Sequence, residues 1–257
     1  MTEGSPTLDV QGALATLTLR RPSQRNSLTD DDLNTLLAHF EALNQNTQVK
    51  VVVLRAVTQG QKQPVFSAGY NVGGFDNDPM APLFFEKIPD ALERLRPITV
   101  CALNGSVYGG ATDLVLACDF RVGLKGMHWR MPACALGLHY YPSGLRRYVS
   151  RFGLNASKRA FLLGQALAFE DLLPLGVFEQ LTDIDELEKA VSDITTPLLS
   201  MAPLALSATK KSLNDIAVGL YCESALRERS RASVHTQDFE EGRAAFAERR
   251  APHFKGQ

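Results

Sequence analysis

The sequence predicts an α/β body followed by a helical C-terminal region. Three observations predict it. Short runs of aliphatic and β-branched residues alternate with amphipathic helical stretches. Two of those runs, residues 49–55 (VKVVVLR) and 98–103 (ITVCAL), are apolar almost throughout, as in strands buried on both faces. Beyond about residue 184 strand patterns cease and charge rises, through Arg227-Glu228-Arg229 and Glu240-Glu241. The expected division is therefore residues 1–183 as the body and 184–257 as a helical region that docks on the body or on another subunit.

The elements follow in order. Residues 13–19 (ALATLTL) alternate with the two-residue period of a strand, and residues 21–27 (RPSQRNS) break it with turn formers. Thr29 followed by Asp30, Asp31 and Asp32 caps a helix carrying Leu33, Leu36, Leu37, Phe40 and Leu43 on one face. Strand 49–55 comes next, then a helix over 84–95 that stops before Pro97, then strand 98–103. Asn104-Gly105 turns the chain into an apolar helix over 109–117, with a short strand at 119–123 and helices at 143–152 and 156–163. The unit is about 50 residues long, without the self-similarity of a repeat array.

Composition narrows the function. The 257 residues are 45% apolar and 21% charged, enough to bury a core without staples. Twenty-seven basic against 28 acidic side chains leave a formal charge of −1, which gives no broad footprint for nucleic acid or an anionic membrane. No apolar run approaches the ~18 residues of a membrane span. The start, MTEGSP, has neither a basic nor an apolar stretch, so a signal peptide is not expected and a cytoplasmic location is. Cys101, Cys118, Cys134 and Cys222 show no zinc or redox spacing and are expected to be small buried residues. The five histidines show no ligand spacing, so no metal site is expected.

Two segments carry chemistry together. In residues 65–75 (VFSAGYNVGGF) the small Ser67, Ala68 and Gly69 let backbone approach a ligand, though a plain strand-to-loop turn explains this segment alone. In residues 104–114 (NGSVYGGATDL) a glycine-containing loop feeds a helix start, where unused N–H groups favour negative charge. It lacks the lysine of a phosphate loop and the dinucleotide spacing. An anionic oxygen needs only two such N–H groups.

Arg21-Pro22 with Asn26-Ser27-Leu28, Phe66-Ser67-Ala68-Gly69, Asn104-Gly105 with Gly109-Gly110, and Ala117-Cys118-Asp119 fall in a familiar order and spacing. So does the ending Asp238-Phe239-Glu240-Glu241-Gly242 with Phe246, Arg249 and Pro252-His253-Phe254. Over nearly its whole length the chain resembles the crotonase superfamily, the enoyl-CoA hydratase/isomerase family. The resemblance implies a spiral of ββα units with a C-terminal helical region that builds homotrimers, often hexamers. It implies a coenzyme A thioester substrate and no cofactor besides the coenzyme A that the substrate carries. It implies an oxyanion hole from the backbone N–H groups of Tyr70 and Gly110, each such donor being worth about 3–4 kcal/mol. It places the coenzyme's adenine and phosphates near Arg25 and Ala68. Lys255 is a candidate phosphate contact, with a solvated terminal lysine as the competing assignment.

The chain also departs from the family's hydratases. Their two glutamates, one accepting and one donating a proton, correspond here to Asp113 and Ala133. A shortened carboxylate facing an alanine does not suit hydration. Family isomerases carry an aspartate where Tyr141 stands. The family's methylmalonyl-CoA decarboxylases resemble this chain in residues 65–69 and in a tyrosine at the position of Tyr140, but differ at Tyr70 and Asp113. Asp113 is thus the leading acid/base candidate, with Tyr140, His139 and Tyr141 as auxiliaries. Pocket-wall packing competes for the three rings and a structural role for Asp113; Trp129 and His128 are expected to pack. Decarboxylation, double-bond isomerisation and altered hydration remain open, and a non-catalytic acyl-CoA binder is the reading from a different class.

Overall fold

The computed structural model describes residues 3–71 and 81–257. Strand β1 (Gly4–Gln11), which the sequence pattern did not single out, turns at Gly12 and pairs antiparallel with β2 (Leu14–Arg20). The β2 alternation holds: Ala15, Leu17 and Leu19 are buried and their neighbours are half-buried. After β2, the chain enters helix α1 (Asp30–Gln45) through Thr29, whose N–H donates to Asp32 Oδ2 at 2.9 Å. Arg21 also pairs with Asp32, tying the turn to the helix start.

Three ββα units follow, and each gives one strand to each of two sheets. They are β3 (Val51–Ala56), β4 (Val65–Ser67) and α2 (Ala81–Glu93); β5 (Ile98–Leu103), β6 (Ser106–Tyr108) and α3 (Gly110–Leu116); and β7 (Phe120–Leu124), β8 (His128–Arg130) and α4 (Pro142–Leu162). Short β9 (Leu167–Ala168) and α5 (Phe169–Leu172) precede β10 (Gln180–Thr182). One sheet runs β1-β2-β3-β5-β7-β10, parallel from β2 onward, and the other runs β4-β6-β8-β9. Because every unit adds its strands beside those of the unit before, the units wind as the expected spiral. The two helices expected at 143–163 are one run broken at Gly153, where φ is 73°.

Helix α6 (Leu187–Ser200) opens the helical region expected from residue 184 and docks on the body. Its Leu187, Ala190 and Val191 close over Val51, Val53, Val100, Ala102 and Val122, so it is a layer of the body. Helix α7 (Pro203–Ala217) docks through buried Lys210, whose Nζ lies 2.7 Å from Asp119 and 3.0 Å from Pro97 O. Helix α8 (Glu223–Ser233) buries no residue, and Phe246 on α9 (Gln237–Glu248) is 88% exposed. A correction concerns cysteine: Cys101 and Cys118 are buried, but Cys134 and Cys222 are exposed, one in a short surface turn and one before α8. Trp129 is fully buried and donates to Tyr148 Oη at 2.9 Å, as its packing role requires, while His128 is exposed. Among the described residues no helix is long and apolar enough to cross a membrane.

Candidate active site

The loop after β4 and the start of α3 meet at Gly69. Arg25 and Asn26 both take positive φ, 53° and 50°, which turns the chain before α1 back alongside that loop. Asn26, buried, holds the turn by accepting from Arg21 N and donating to Val57 O. Ser67 Oγ then donates to Asn26 O at 2.7 Å, and Ala68 N donates to Arg25 O at 2.8 Å. Leu28 bridges Tyr70 in parallel, through Leu28 N to Gly69 O and Asn71 N to Leu28 O, both 2.9 Å. In such a bridge the amide and carbonyl of Tyr70 itself lie on the opposite edge. Gly69 has φ +91°, and a Cβ there would stand 2.7 Å from Tyr108 O and 2.9 Å from Gly110 N. Only glycine permits this approach. Gly110 N is the first helical amide of α3, which has no intrahelical acceptor. Of the glycine-rich segment at 65–75, residues 72–75 lie outside the described residues.

Both loops line a cavity of about 420 Å³. Ala68, Tyr70, Tyr108 and Gly110 line it, and Phe85, Met131, Ala133, Leu138, His139, Tyr140 and Tyr141 complete its wall. The Tyr70 ring stacks on Phe85, centroids 5.4 Å apart, and its hydroxyl donates to Asp30. Tyr140 and Tyr141 stack on each other at 4.1 Å. Among the described residues lining the cavity there is no carboxylate.

Asp113 lies beneath that wall, not in it. Tyr140 Oη donates to Tyr141 Oη at 2.9 Å, and Tyr141 Oη donates to Asp113 Oδ2 at 2.6 Å. Arg147 then grips the same carboxylate with both arms of its fork, Nε to Oδ1 and Nη2 to Oδ2, each at 2.8 Å. Burial, reinforced for Tyr140 by the Asp113 charge and for Tyr141 by Tyr140 and Asp113, raises both phenols well above the usual tyrosine range. They stay protonated at neutral pH.

A model of the family described as enoyl-CoA hydratase/isomerase matches residues 9–257. The chain belongs to the enoyl-CoA hydratase/isomerase family. Among its relatives in that family is the 2,3-dehydroadipyl-CoA hydratase of Escherichia coli, 26% identical over 248 residues, or 93% of this chain and 94% of the relative. The methylmalonyl-CoA decarboxylase of Escherichia coli is 24% identical over 239 residues, 90% of each chain. The fold matches the crystal structure of an enoyl-CoA hydratase from Bacillus anthracis with TM-score 0.88 at 24% identity, over 99% of this chain and 100% of that one. DspI of Pseudomonas aeruginosa also matches at TM-score 0.88, with 26% identity, over 99% and 98% of the two chains.

Within the family member, the sequence-expected residues divide into three groups. Tyr70, Gly110, Ala68, Tyr140, Tyr141 and His139 share the cavity. Asp113 reaches it only through Tyr141. Arg25 and Lys255 lie elsewhere: Arg25 is exposed beside the Ala68 loop, and Lys255 lines a separate polar cleft with Glu241, Arg250 and His253. Sequence reading missed Arg147 and the ring of Phe85. The Phe85 ring lies where a Cβ on Gly110 would fall 2.7 Å from it, a contact that no local sequence pattern marks.

Proposed function

We propose that this chain removes carbon dioxide from a malonyl-type coenzyme A thioester. The observation that carries the reading is the cavity wall: among the described residues it offers phenols, an imidazole and backbone amides, and no carboxylate. Hydration needs a carboxylate to activate water, but Ala133 occupies one expected position and Asp113 is held by Arg147 beneath Tyr141. Decarboxylation needs none. The thioester oxygen docks on the amides of Tyr70 and Gly110. The bond from Cα to the carboxylate breaks, its electron pair forms the enolate, and the developing charge collects on the oxygen between the two amides. An apolar wall of Phe85, Met131 and Leu138 disfavours the substrate's carboxylate more than the neutral carbon dioxide that leaves. Tyr140 then gives its proton to Cα, and solvent water restores it.

The reaction draws on no cofactor beyond the coenzyme A of the substrate. Arg25 and the Ala68 backbone flank the coenzyme's adenine and phosphates. Lys255 reaches a phosphate only across a subunit boundary, in a cytoplasmic trimer or hexamer built through the apolar face that carries Phe246. A second reading, double-bond isomerisation, is favoured by the chain from Tyr140 through Tyr141 to Asp113, along which a substrate proton could travel. Both are tested together by supplying crotonyl-, 3-hexenoyl-, methylmalonyl- and ethylmalonyl-CoA and following products by mass. Loss of carbon dioxide from a malonyl-type substrate, seen as the matching fall in product mass, supports the proposal. Hydration of crotonyl-CoA as the dominant activity refutes it, and binding of every thioester without turnover supports the acyl-CoA binder instead.

A further inference from the structure

The arginine beneath the cavity has more partners than an ion pair requires. Its Nη1 lies 2.8 Å from Asp90 Oδ1 and 3.0 Å from Glu93 Oε2, both on α2, while Nε and Nη2 hold Asp113 of α3. Burial alone would lower the guanidinium's pKa, but the bonds from Asp113, Glu93 and Asp90 outweigh it and hold the group protonated. We propose that Arg147 is a positioning residue that fixes the direction of the hydrogen-bond chain beneath the cavity, so that Tyr140 alone of the two phenols can give its proton to the substrate. The inference rests on the enolate reading above.

The directionality follows from counting protons. A carboxylate gripped at both oxygens by a guanidinium accepts hydrogen bonds and donates none. Tyr141 must therefore donate to Asp113, and its single proton is committed. Its oxygen accepts from Tyr140 at 2.9 Å. The Tyr140 proton is then the one that can turn about its C–O bond toward the cavity, which leaves only an acceptor lone pair unused on Tyr141. In the transfer, a Cα–H bond forms and the Tyr140 O–H bond breaks. Its electron pair stays on the phenol oxygen, which regains a proton from water. Asp113 is an anchor in this scheme, not the proton carrier.

The test compares the full-length wild type with Arg147→Lys, which keeps the charge and loses the fork. In Arg147→Lys, kcat on methylmalonyl-CoA is expected to fall by about tenfold or more while KM stays within about twofold. Without substrate, NMR of protein labelled at tyrosine Cζ should show both the Tyr140 and Tyr141 signals displaced. Unchanged kcat overturns the proposal, and so does a fixed Tyr140 signal. Tyr141→Phe cuts the same chain without touching the ion pair, so it decides the matter if Arg147→Lys does not fold: full kcat in that variant also overturns it. A wild type that turns over no thioester would refute the enolate reading alone, and the Tyr140 signal would still decide the positioning.

Discussion

Arg147 and Asp113 meet in a two-armed ion pair, both contacts 2.8 Å, with side-chain exposures of 1% and 0%. Removing one partner of a buried pair leaves a charge that water cannot reach, at a cost of about 3–5 kcal/mol. Arg147→Leu strands Asp113 and Glu93 together and should lower unfolding free energy by that amount in urea titration. Arg55→Ala, which breaks the exposed pair with Glu188, should cost no more than about 1 kcal/mol.

Gly69→Ala tests the meeting of the two loops. The new methyl would sit 2.7 Å from Tyr108 O and 2.9 Å from Gly110 N, on a residue whose φ of +91° a side chain resists. The two amides should separate, lowering kcat/KM on any thioester substrate by about a hundredfold. Backbone strain should lower stability by about 1–3 kcal/mol.

Ala133→Glu places a carboxylate in the wall where the family's hydratases carry one. An anion beside a departing carboxylate repels it, so decarboxylation measured by product mass should slow by about tenfold or more. Hydration of crotonyl-CoA should rise above the wild-type level.

Alkaline pH should weaken the fold. Tyr140, Tyr141, Tyr148 and Cys101 are all raised above their usual ranges, with burial as the largest cause in each. Their folded forms keep protons that the unfolded chain releases above roughly pH 8.5–10. Stability contributed by these groups is complete below that window and falls as pH rises through it. Urea midpoints at pH 8 and pH 10.5 should show the drop, and Tyr148→Phe should make it smaller.

Much of this molecule can be read from its residues. The Thr29 cap, the β2 alternation and the apolar β3 and β5 runs are local patterns, and they stand where expected. The close meeting of the two loops was legible because Gly69, Gly109 and Gly110 let backbone approach backbone. Two things were not legible. Arg147 sits beside Arg146 in a charged helix, a pattern that ordinarily marks a solvated face. Its partners lie 34 to 57 positions away, on α3 and on α2, where Asp90 and Glu93 look like an ordinary exposed pair. That same distance hid the state of Asp113, which fits the sequence slot of an acid/base but is consumed by its neighbours.

The central claim is that an enolate forms here without a carboxylate base and takes its proton from Tyr140. Methylmalonyl-CoA supplied in D2O tests it most directly, with product mass and rate compared between wild type and Tyr140→Phe. The account predicts propionyl-CoA carrying one deuterium at C2, formed at least about a hundredfold more slowly by the variant. Unaltered methylmalonyl-CoA in the wild-type reaction, or an equal rate in Tyr140→Phe, would contradict it.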